Sequence, residues 1–199
     1  MNNWQKPQDW EAHWHSRIIT NTYHEETKQF EYAKRMGIET YGTAYTPLNF
    51  KNYGKILDIG GGETSMLLKV ENPTDCVIVD PCDYPSWITD RYKSKEIELI
   101  KQKGEDIKLT GFDEVWIYNC LQHTEDPEKI VNNARQAGKL IRIFEWIDTP
   151  TNEGHIQKLT HKNLDKWLGG TGKIEDMKSK GCFGKAYYGI FLGNQYAKV

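Results

Sequence analysis

The sequence predicts an α/β fold: a mostly parallel, doubly wound sheet of seven strands, with helices on both faces and an antiparallel hairpin at the C-terminal end. From Lys55 onwards, short apolar runs alternate with helical stretches, which is the pattern of parallel strands joined by helices. Near the end, two strand-like segments are separated only by a Gly-rich turn, so we expect them to run antiparallel. A length of 199 residues fits one domain that can bury a core without disulfides or metals.

We expect a single domain over residues 1–199, in which a helical and aromatic segment (1–50) precedes the α/β core (51–199). In the first segment a helix begins near Thr22, which forms a capping-box pattern with Glu25. The helix ends after Met36, because Gly37 is a fitting stop. Helical spacing predicts its apolar face: Tyr23, Thr27, Phe30 and Ala33.

Five strands are predicted in the core, at residues 55–59, 76–80, 97–100, 112–119 and 139–147, and the first two are predicted to be buried. Between them we expect a helix through MLLKV (66–70) and a short helix from Ser86. Another helix has Asp126 as N-cap, Pro127 at its first position and Gly138 at its end. A further helix spans residues 160–168.

The C-terminal hairpin has two candidate pairings. The preferred one joins residues 173–180 to residues 186–193. The alternative pairs residues 187–192 with residues 195–199 across Gly193-Asn194.

Composition excludes several classes of protein. The mean hydropathy is −0.73, no apolar run approaches the ~18–20 residues of a membrane span, and the first residues lack a signal peptide's apolar stretch. We therefore expect a soluble, cytoplasmic protein with no membrane partner. The four cysteines form no C-x-x-C pair, so neither a disulfide framework nor a zinc site is expected. Cys76 reads as a small buried apolar residue.

Charge gives no overall attraction to nucleic acid, because the net charge is −2. Its distribution is uneven: residues 161–199 hold seven lysines and three acidic residues. Residues 105–155 hold ten acidic and five basic residues. Such segments are usually solvated surface, but they can bias the choice of partner.

The most informative stretch is LDIGGGETS (57–65), a strand that leads through glycines into a predicted helix. Gly60 and Gly62 would let the backbone approach a ligand where a Cβ would clash. Open N–H groups at a helix start suit a negative group. Asp58 precedes the glycines, and Asp80 ends the next strand, where a carboxylate can accept hydrogen bonds from ribose hydroxyls. The pattern predicts a nucleoside-binding site.

This pattern resembles the class I, Rossmann-like S-adenosylmethionine (SAM)-dependent methyltransferases. The matching first-strand motif is Asp58-Ile59-Gly60-Gly61-Gly62, VIVD (77–80) fits the ribose-binding strand, and GEDI (104–107) fits the segment whose acid contacts adenine. Residues 112–143 look like the fourth strand, its helix and the fifth strand of the small-molecule group (type 11) that includes ubiquinone-biosynthesis methyltransferases.

The resemblance implies SAM as cofactor and a set of cofactor-binding residues: Asp58, Gly60, Gly61, Gly62, Thr64, Asp80, Glu105, Asp106 and Asn119. One departure is that the family's third glycine falls at Thr64, so Thr64 or Ser65 could donate to the methionine carboxylate. A nicotinamide dehydrogenase is the nearest competitor. Its fingerprint needs a glycine where this chain has Ser65.

Candidate catalytic residues follow the fourth and fifth strands, where the acceptor should approach. His123 is the first candidate for a general base; the alternative is that it only caps the next helix. His155, which follows the fifth strand, faces the same region and is the second candidate. Glu145, with Asp148, could bind the acceptor or could be a solvated acid. Cys120 reads as a buried structural thiol rather than a nucleophile.

The first residues carry an unusual cluster of Trp10, His13, Trp14 and His15. With Tyr23 and Tyr45, it could form a lid over the site, or it could be an aromatic strap on one side of the sheet. His13 and His15 lack further ligands at useful spacing, so no metal site is expected.

Three functions remain open at the level of sequence. The first is methyl transfer to an O, N or C atom of a small molecule, with an acidic rim that disfavours phosphates: Glu63, Asp83, Glu125, Asp126, Glu145 and Asp148. The second is a nucleic-acid methyltransferase, for which the basic C-terminal region would follow the phosphates. The third is a SAM-binding module without catalysis. The oligomeric state is left open.

Overall fold

The computed structural model describes residues 6, 9, 22–42, 49–177 and 184–194. The helices are α1 (Thr22–Arg35), α2 (Ser86–Lys93), α3 (Pro127–Ala137) and α4 (His161–Leu168). The strands are β1 (Thr40–Tyr41), β2 (Asn49–Phe50), β3 (Ile56–Ile59), β4 (Val77–Asp80), β5 (Glu98–Lys101), β6 (Phe112–Tyr118), β7 (Gly138–Ile147), β8 (Lys173–Asp176) and β9 (Lys185–Leu192). Single 3-10 turns lie at Met66–Lys69, Gly104–Asp106 and Leu121–His123.

Seven strands form one sheet in the order β5-β4-β3-β6-β7-β9-β8. The pairs among β3, β4, β5, β6 and β7 are parallel, whereas β9 pairs antiparallel with both β7 and β8. The predicted fold class and the preferred C-terminal hairpin are therefore confirmed. The strand order reverses between β3 and β6, and in such a sheet ligands bind at the carboxyl ends of the strands beside that point.

Helices cover both faces of the sheet, and each face has its own apolar core. On one face, Ile130 and Val131 of α3 and Leu164 of α4 are fully buried against the strands. On the other, Tyr32 of α1 and Tyr92 of α2 are buried. A strand covered on both faces needs apolar residues on both, which explains the near-continuous apolar runs of β3 and β4.

Helix α1 begins at Thr22 as predicted and ends at Arg35, one residue before the predicted end, and Gly37 follows with a φ of 69°. Its predicted apolar face is wrong in part. Phe30 is 37% exposed, whereas Gln29 and Tyr32 are buried together with Ala33. The side chains of Tyr23 and Thr27 lie outside the described residues. The helix is rotated because Tyr32 stacks on Phe144 of β7, with 4.1 Å between ring centroids, and this contact is invisible in the helix sequence.

The predicted helix through MLLKV is also wrong, because the chain makes only one 3-10 turn at Met66–Lys69. Ser65 caps this turn by accepting from the Leu67 N–H, and Val70 then leaves in an extended conformation. Pro73 lies close behind, and a proline both blocks helix continuation and disfavours helical backbone at the residue before it. Too few residues remain for a second helical turn.

One buried ion pair ties the end of α1 to the sheet. Arg142 of β7 donates to both carboxylate oxygens of Glu114 of β6 at 2.7 Å, and both residues are at most 5% exposed. The same guanidinium donates to the carbonyls of Met36 and Gly37 at 2.9 Å. Trp116 Nε1 also donates to Glu114 at 2.8 Å. This network fixes α1 against β6 and β7.

Some predictions lie outside the described residues, namely the cluster of Trp10, His13, Trp14 and His15, the position of Tyr45, and the 195–199 strand of the alternative hairpin. Among the helices that the structure describes, none is long and apolar enough to cross a membrane.

Candidate active site

A cleft opens where the carboxyl ends of β3, β4 and β6 meet. Its walls include the Gly60–Gly62 turn after β3, Asp80 at the end of β4, and Asn119 and His123 after β6. Thr64 also lines it. The structure therefore brings six of the predicted cofactor-binding residues to one cleft: the three glycines of the turn, Thr64, Asp80 and Asn119. The proposed base His123 lines the same cleft.

The glycine turn is shaped by two left-handed residues, Gly60 (φ 73°) and Gly62 (φ 65°). A Cβ on Gly60 would lie 2.6 Å from the Cβ of Cys120. The turn therefore packs so closely against the loop after β6 that only glycine fits at this position. A Cβ on Gly61 would lie 2.6 Å from Asp58 Oδ2. The glycines thus serve close packing beneath the cleft as well as access to it.

Asp58 lies under the turn and does not line the cleft. It is fully buried and accepts hydrogen bonds from Ser65 Oγ at 2.5 Å and from the Tyr118 hydroxyl at 2.7 Å. Burial raises the pKa of Asp58 to about 7, against the lowering effect of these two donors. Asp58 Oδ1 is buried and has no hydrogen-bond partner among the described residues. Its contacts make it a support of the turn.

Tyr92 of α2 supports the same turn from the other side. Its hydroxyl donates to the Gly62 carbonyl at 2.7 Å and accepts from the Ser65 N–H at 3.1 Å. Sequence reasoning missed both Tyr92 and Tyr118, because an apolar spacing pattern does not show where a tyrosine hydroxyl points.

Asp80 joins the turn to the segment after β4. Its Oδ2 accepts from the Gly62 N–H at 3.1 Å, and its Oδ1 accepts from the Cys82 N–H and the Tyr84 hydroxyl at 2.9 Å. Burial, and then the negative charge of Asp80, raise the pKa of Tyr84, so this hydroxyl remains a donor. Asp80 is therefore held in place at the edge of the cleft.

Glu105 and Asp106 are not brought to the cleft wall. Glu105 is buried and accepts from the N–H groups of Glu125 and Asp126 at 3.0 and 3.2 Å, so it holds the loop that leads into α3. Asp106 is exposed and lies 3.6 Å from Lys129 Nζ. Their proposed contact with adenine is not visible in these interactions.

The loop after β6 carries His123 against the cleft. His123 is 8% exposed, and its Nδ1 lies 2.8 Å from the Gly154 carbonyl oxygen. The His155 ring packs edge-on against it, with centroids 4.7 Å apart, but His155 is not among the residues that line the cleft. The two histidines are thus brought together, one at the cleft and one behind it.

Glu145 is fully buried beneath this loop. Its Oε1 accepts from the N–H groups of Cys120 and Leu121 at 3.0 and 3.1 Å. Burial raises the pKa of Glu145 to about 8, against these two donors. Its position is that of a support for the loop. The Cys120 thiol donates to the Ile59 carbonyl at 3.3 Å, and burial raises its pKa, which agrees with a structural thiol.

Helix α1 closes one side of the cleft with Lys28, Gln29 and Tyr32. Gln29 Nε2 donates to the carbonyl of Thr64, and Lys69 Nζ donates to Gln29 Oε1 at 2.6 Å. Sequence reasoning missed this wall, because a glutamine on the inner side of a helix gives no signal in the apolar pattern.

The predicted acidic rim is corrected by the structure. Glu63 and Glu145 are buried. Three other members pair with lysines: Asp83 with Lys101, Glu125 with Lys103, and Asp148 with Lys185. The rim is therefore largely neutralised and is not a continuous acidic surface.

Comparisons with known proteins concern the family and the fold. Residues 57–139 match the model of the family described as a methyltransferase domain. No curated protein matches the chain in sequence.

Several solved structures share the fold. A chain of the Haloferax volcanii complex between the Trm112 methyltransferase activator and a methyltransferase has a TM-score of 0.61 at 9% identity, with 94% of this chain and 97% of that one covered. A SAM-dependent methyltransferase from Thermotoga maritima has a TM-score of 0.54 at 12% identity, with 83% of this chain and 78% of that one covered. Magnesium protoporphyrin IX methyltransferase from Synechocystis, solved with bound S-adenosylhomocysteine, has a TM-score of 0.53 at 11% identity. The match covers 71% of this chain and 75% of that one.

At these identities the solved structures establish the fold. The match over residues 57–139 confirms the resemblance to SAM-dependent methyltransferases, and with it the predicted enzyme class and cofactor.

Proposed function

From the premise that residues 57–139 form a SAM-dependent methyltransferase domain, we propose that this chain transfers a methyl group to an O, N or C atom of a small molecule. The observation that carries the proposal is the cleft itself. One opening brings together the glycine turn, Asp80, Asn119 and His123, and α1 closes its side.

The residues present fit the cofactor. The Gly60–Gly62 turn exposes backbone without side chains, and Asp80 stands where a carboxylate can accept from ribose hydroxyls. Because a 3-10 turn replaces the expected helix, no long helix N-terminus faces the methionine carboxylate. Lys28 of α1 also lines the cleft. Thr64 lines the cleft nearby.

SAM supplies an already activated methyl group, so the protein mainly has to align the acceptor and exclude water. In our proposal His123 takes the acceptor's proton where the acceptor has one to lose, and His155 holds the His123 ring from behind. Glu145 holds the loop that carries His123, and Asp58 holds the glycine turn. Glu105 holds the loop before α3.

A small acceptor fits better than a nucleic acid. A groove beside α1 is lined by three cationic side chains, Lys34, Arg35 and Lys173, and by the acidic Glu175. Arg35 is already paired with Glu31 and Glu175, which reduces the charge that this groove offers to phosphates. The Synechocystis relative, by its name, methylates magnesium protoporphyrin IX, which is also a small molecule.

The acceptor class can be tested with methyl-labelled SAM and cell extracts separated into small-molecule, protein and nucleic-acid fractions. We expect label in the small-molecule fraction, and its loss with Asp80→Ala. Label in RNA or DNA would contradict the proposal in favour of a nucleic-acid methyltransferase. Binding of S-adenosylhomocysteine without transfer to any fraction would indicate a SAM-binding module.

A further inference from the structure

Tyr84 and Asp80 form a hydrogen-bonded pair at the edge of the cleft. Tyr84 lies in the segment between the end of β4 and the start of α2, and both side chains line the cleft. The Tyr84 hydroxyl and Asp80 Oδ1 are 2.9 Å apart. A carboxylate can only accept hydrogen bonds, so the tyrosine is the donor. The proposed contact of Asp80 with a ribose must therefore be made beside this hydroxyl.

The two oxygens of Asp80 differ in how many donors they already hold. Oδ1 accepts from the Tyr84 hydroxyl and from the Cys82 N–H, each at 2.9 Å. Among the described residues, Oδ2 accepts only from the Gly62 N–H, at 3.1 Å. A carboxylate offers about four lone-pair sites, two on each oxygen. Oδ1 is therefore fully used, whereas Oδ2 keeps one site for a ligand.

The position of the Tyr84 hydroxyl is fixed by its ring. The ring packs against the buried apolar cluster on the α1 and α2 face of the sheet. A phenol oxygen cannot move without its ring, so the hydroxyl leaves Asp80 only if this packing is lost. The Cys82 side chain also hydrogen-bonds to the hydroxyl, but sulfur is a weak acceptor compared with a carboxylate.

Replacement of the Tyr84 hydroxyl by a ribose hydroxyl at Oδ1 would bring no gain. One hydroxyl donor would take the place of another, so the number of hydrogen bonds on Asp80 would stay the same. The displaced Tyr84 hydroxyl would lose its bond to a charged group, which is the stronger kind of hydrogen bond. The pair is therefore expected to persist when a ribose binds at Oδ2.

We infer that Tyr84 determines how the cleft recognises the ribose of the cofactor. By holding Oδ1, it leaves Asp80 a single oxygen, Oδ2, for one of the two ribose hydroxyls. The other ribose hydroxyl makes no contact with Asp80. The inference rests on the proposed role of Asp80 in binding the cofactor, and it adds a specificity-determining residue that lies outside the glycine motif.

The test is calorimetric titration of the full-length protein with S-adenosylhomocysteine and with its 2′-deoxy and 3′-deoxy analogues. In the wild type, one analogue should bind about tenfold or more weakly than S-adenosylhomocysteine, because it lacks the hydroxyl that Oδ2 accepts. The other analogue should bind within about threefold of S-adenosylhomocysteine, because it lacks only a hydroxyl that Asp80 does not contact.

Tyr84→Phe keeps the ring and removes the donor, so Oδ1 regains a site for the second hydroxyl. The analogue that the wild type tolerates should then bind this variant about tenfold or more weakly than S-adenosylhomocysteine does. Tyr187→Phe is the matched control, because the Tyr187 hydroxyl donates to Asp165 Oδ1 at 2.7 Å and neither residue lines the cleft. Its affinity ratios should equal those of the wild type.

A wild type that binds both analogues weakly, or neither of them weakly, would overturn the inference, and this measurement needs no variant. Wild-type affinity ratios in a folded Tyr84→Phe would contradict it as well. Failure of the premise gives a different result: S-adenosylhomocysteine then does not bind the wild type, or it binds Asp80→Ala equally well. Either of those results removes the inference together with the proposed cofactor contact.

Discussion

Replacing Arg142 with methionine is expected to lower the free energy of unfolding by about 3–5 kcal/mol, the usual cost of breaking a buried ion pair from one side. The change leaves the Glu114 carboxylate, which is 3% exposed, without its bidentate partner. The carbonyls of Met36 and Gly37 lose their donor as well. Because those carbonyls end α1, the wall of the cleft that carries Gln29 should loosen with them.

Urea unfolding of Arg142→Met measures this loss. Lys51→Met is a matched control, because Lys51 makes an exposed pair with Glu39 and exposed pairs contribute about 0–1 kcal/mol. Adding Glu114→Gln to Arg142→Met should restore part of the loss, since glutamine carries no charge and can still accept from Trp116 Nε1. If Arg142→Met unfolds with the same free energy as Lys51→Met, the network does not fix α1.

Glu145→Gln is expected to change how stability depends on pH. The unfolded carboxyl ionises near its ordinary pKa of 4.5, whereas burial raises the pKa of the native carboxyl to about 8. Between these values the native state keeps a proton that the unfolded state has lost. The stability that this provides is complete below pH 4.5 and is lost as pH rises through 8, to an extent of about 5 kcal/mol.

Glutamine has no such proton but can accept from the Cys120 and Leu121 N–H groups in the same way. Urea unfolding of both proteins at pH 5 and pH 9 should therefore show Glu145→Gln gaining about 4 kcal/mol on the wild type over this interval. Asp58, whose pKa is also raised, is present in both proteins and cancels. A stability difference that does not change with pH would mean that Glu145 is ionised in the native protein throughout.

Local sequence signals predicted most of the secondary structure because they act over a few residues. Asp126 caps α3 by accepting from the Lys129 N–H, with Pro127 at the first helical position, as the sequence indicates. Asp80 and the glycine turn reach one cleft because parallel strands present their carboxyl ends at the same edge.

The errors come from contacts between distant parts of the chain. Two contacts determine the inner face of α1: Tyr32 stacks on Phe144, and Gln29 donates to the Thr64 carbonyl. In each pair the partner lies more than thirty residues away in the sequence. Glu145 looks like a rim acid in the sequence, and only the loop folded over it shows that it is buried. The contact between His123 and the Gly154 carbonyl likewise joins residues that are thirty-one positions apart in the sequence.

The central claim is that the cleft binds a SAM-type cofactor through Asp80, and calorimetric titration with S-adenosylhomocysteine tests it most directly. The wild type and Asp80→Ala are compared, with NAD as the control ligand. Micromolar binding of S-adenosylhomocysteine that weakens at least tenfold in Asp80→Ala, about 1.4 kcal/mol, is the result we predict. Binding of NAD, or no binding of S-adenosylhomocysteine by the wild type, would contradict it.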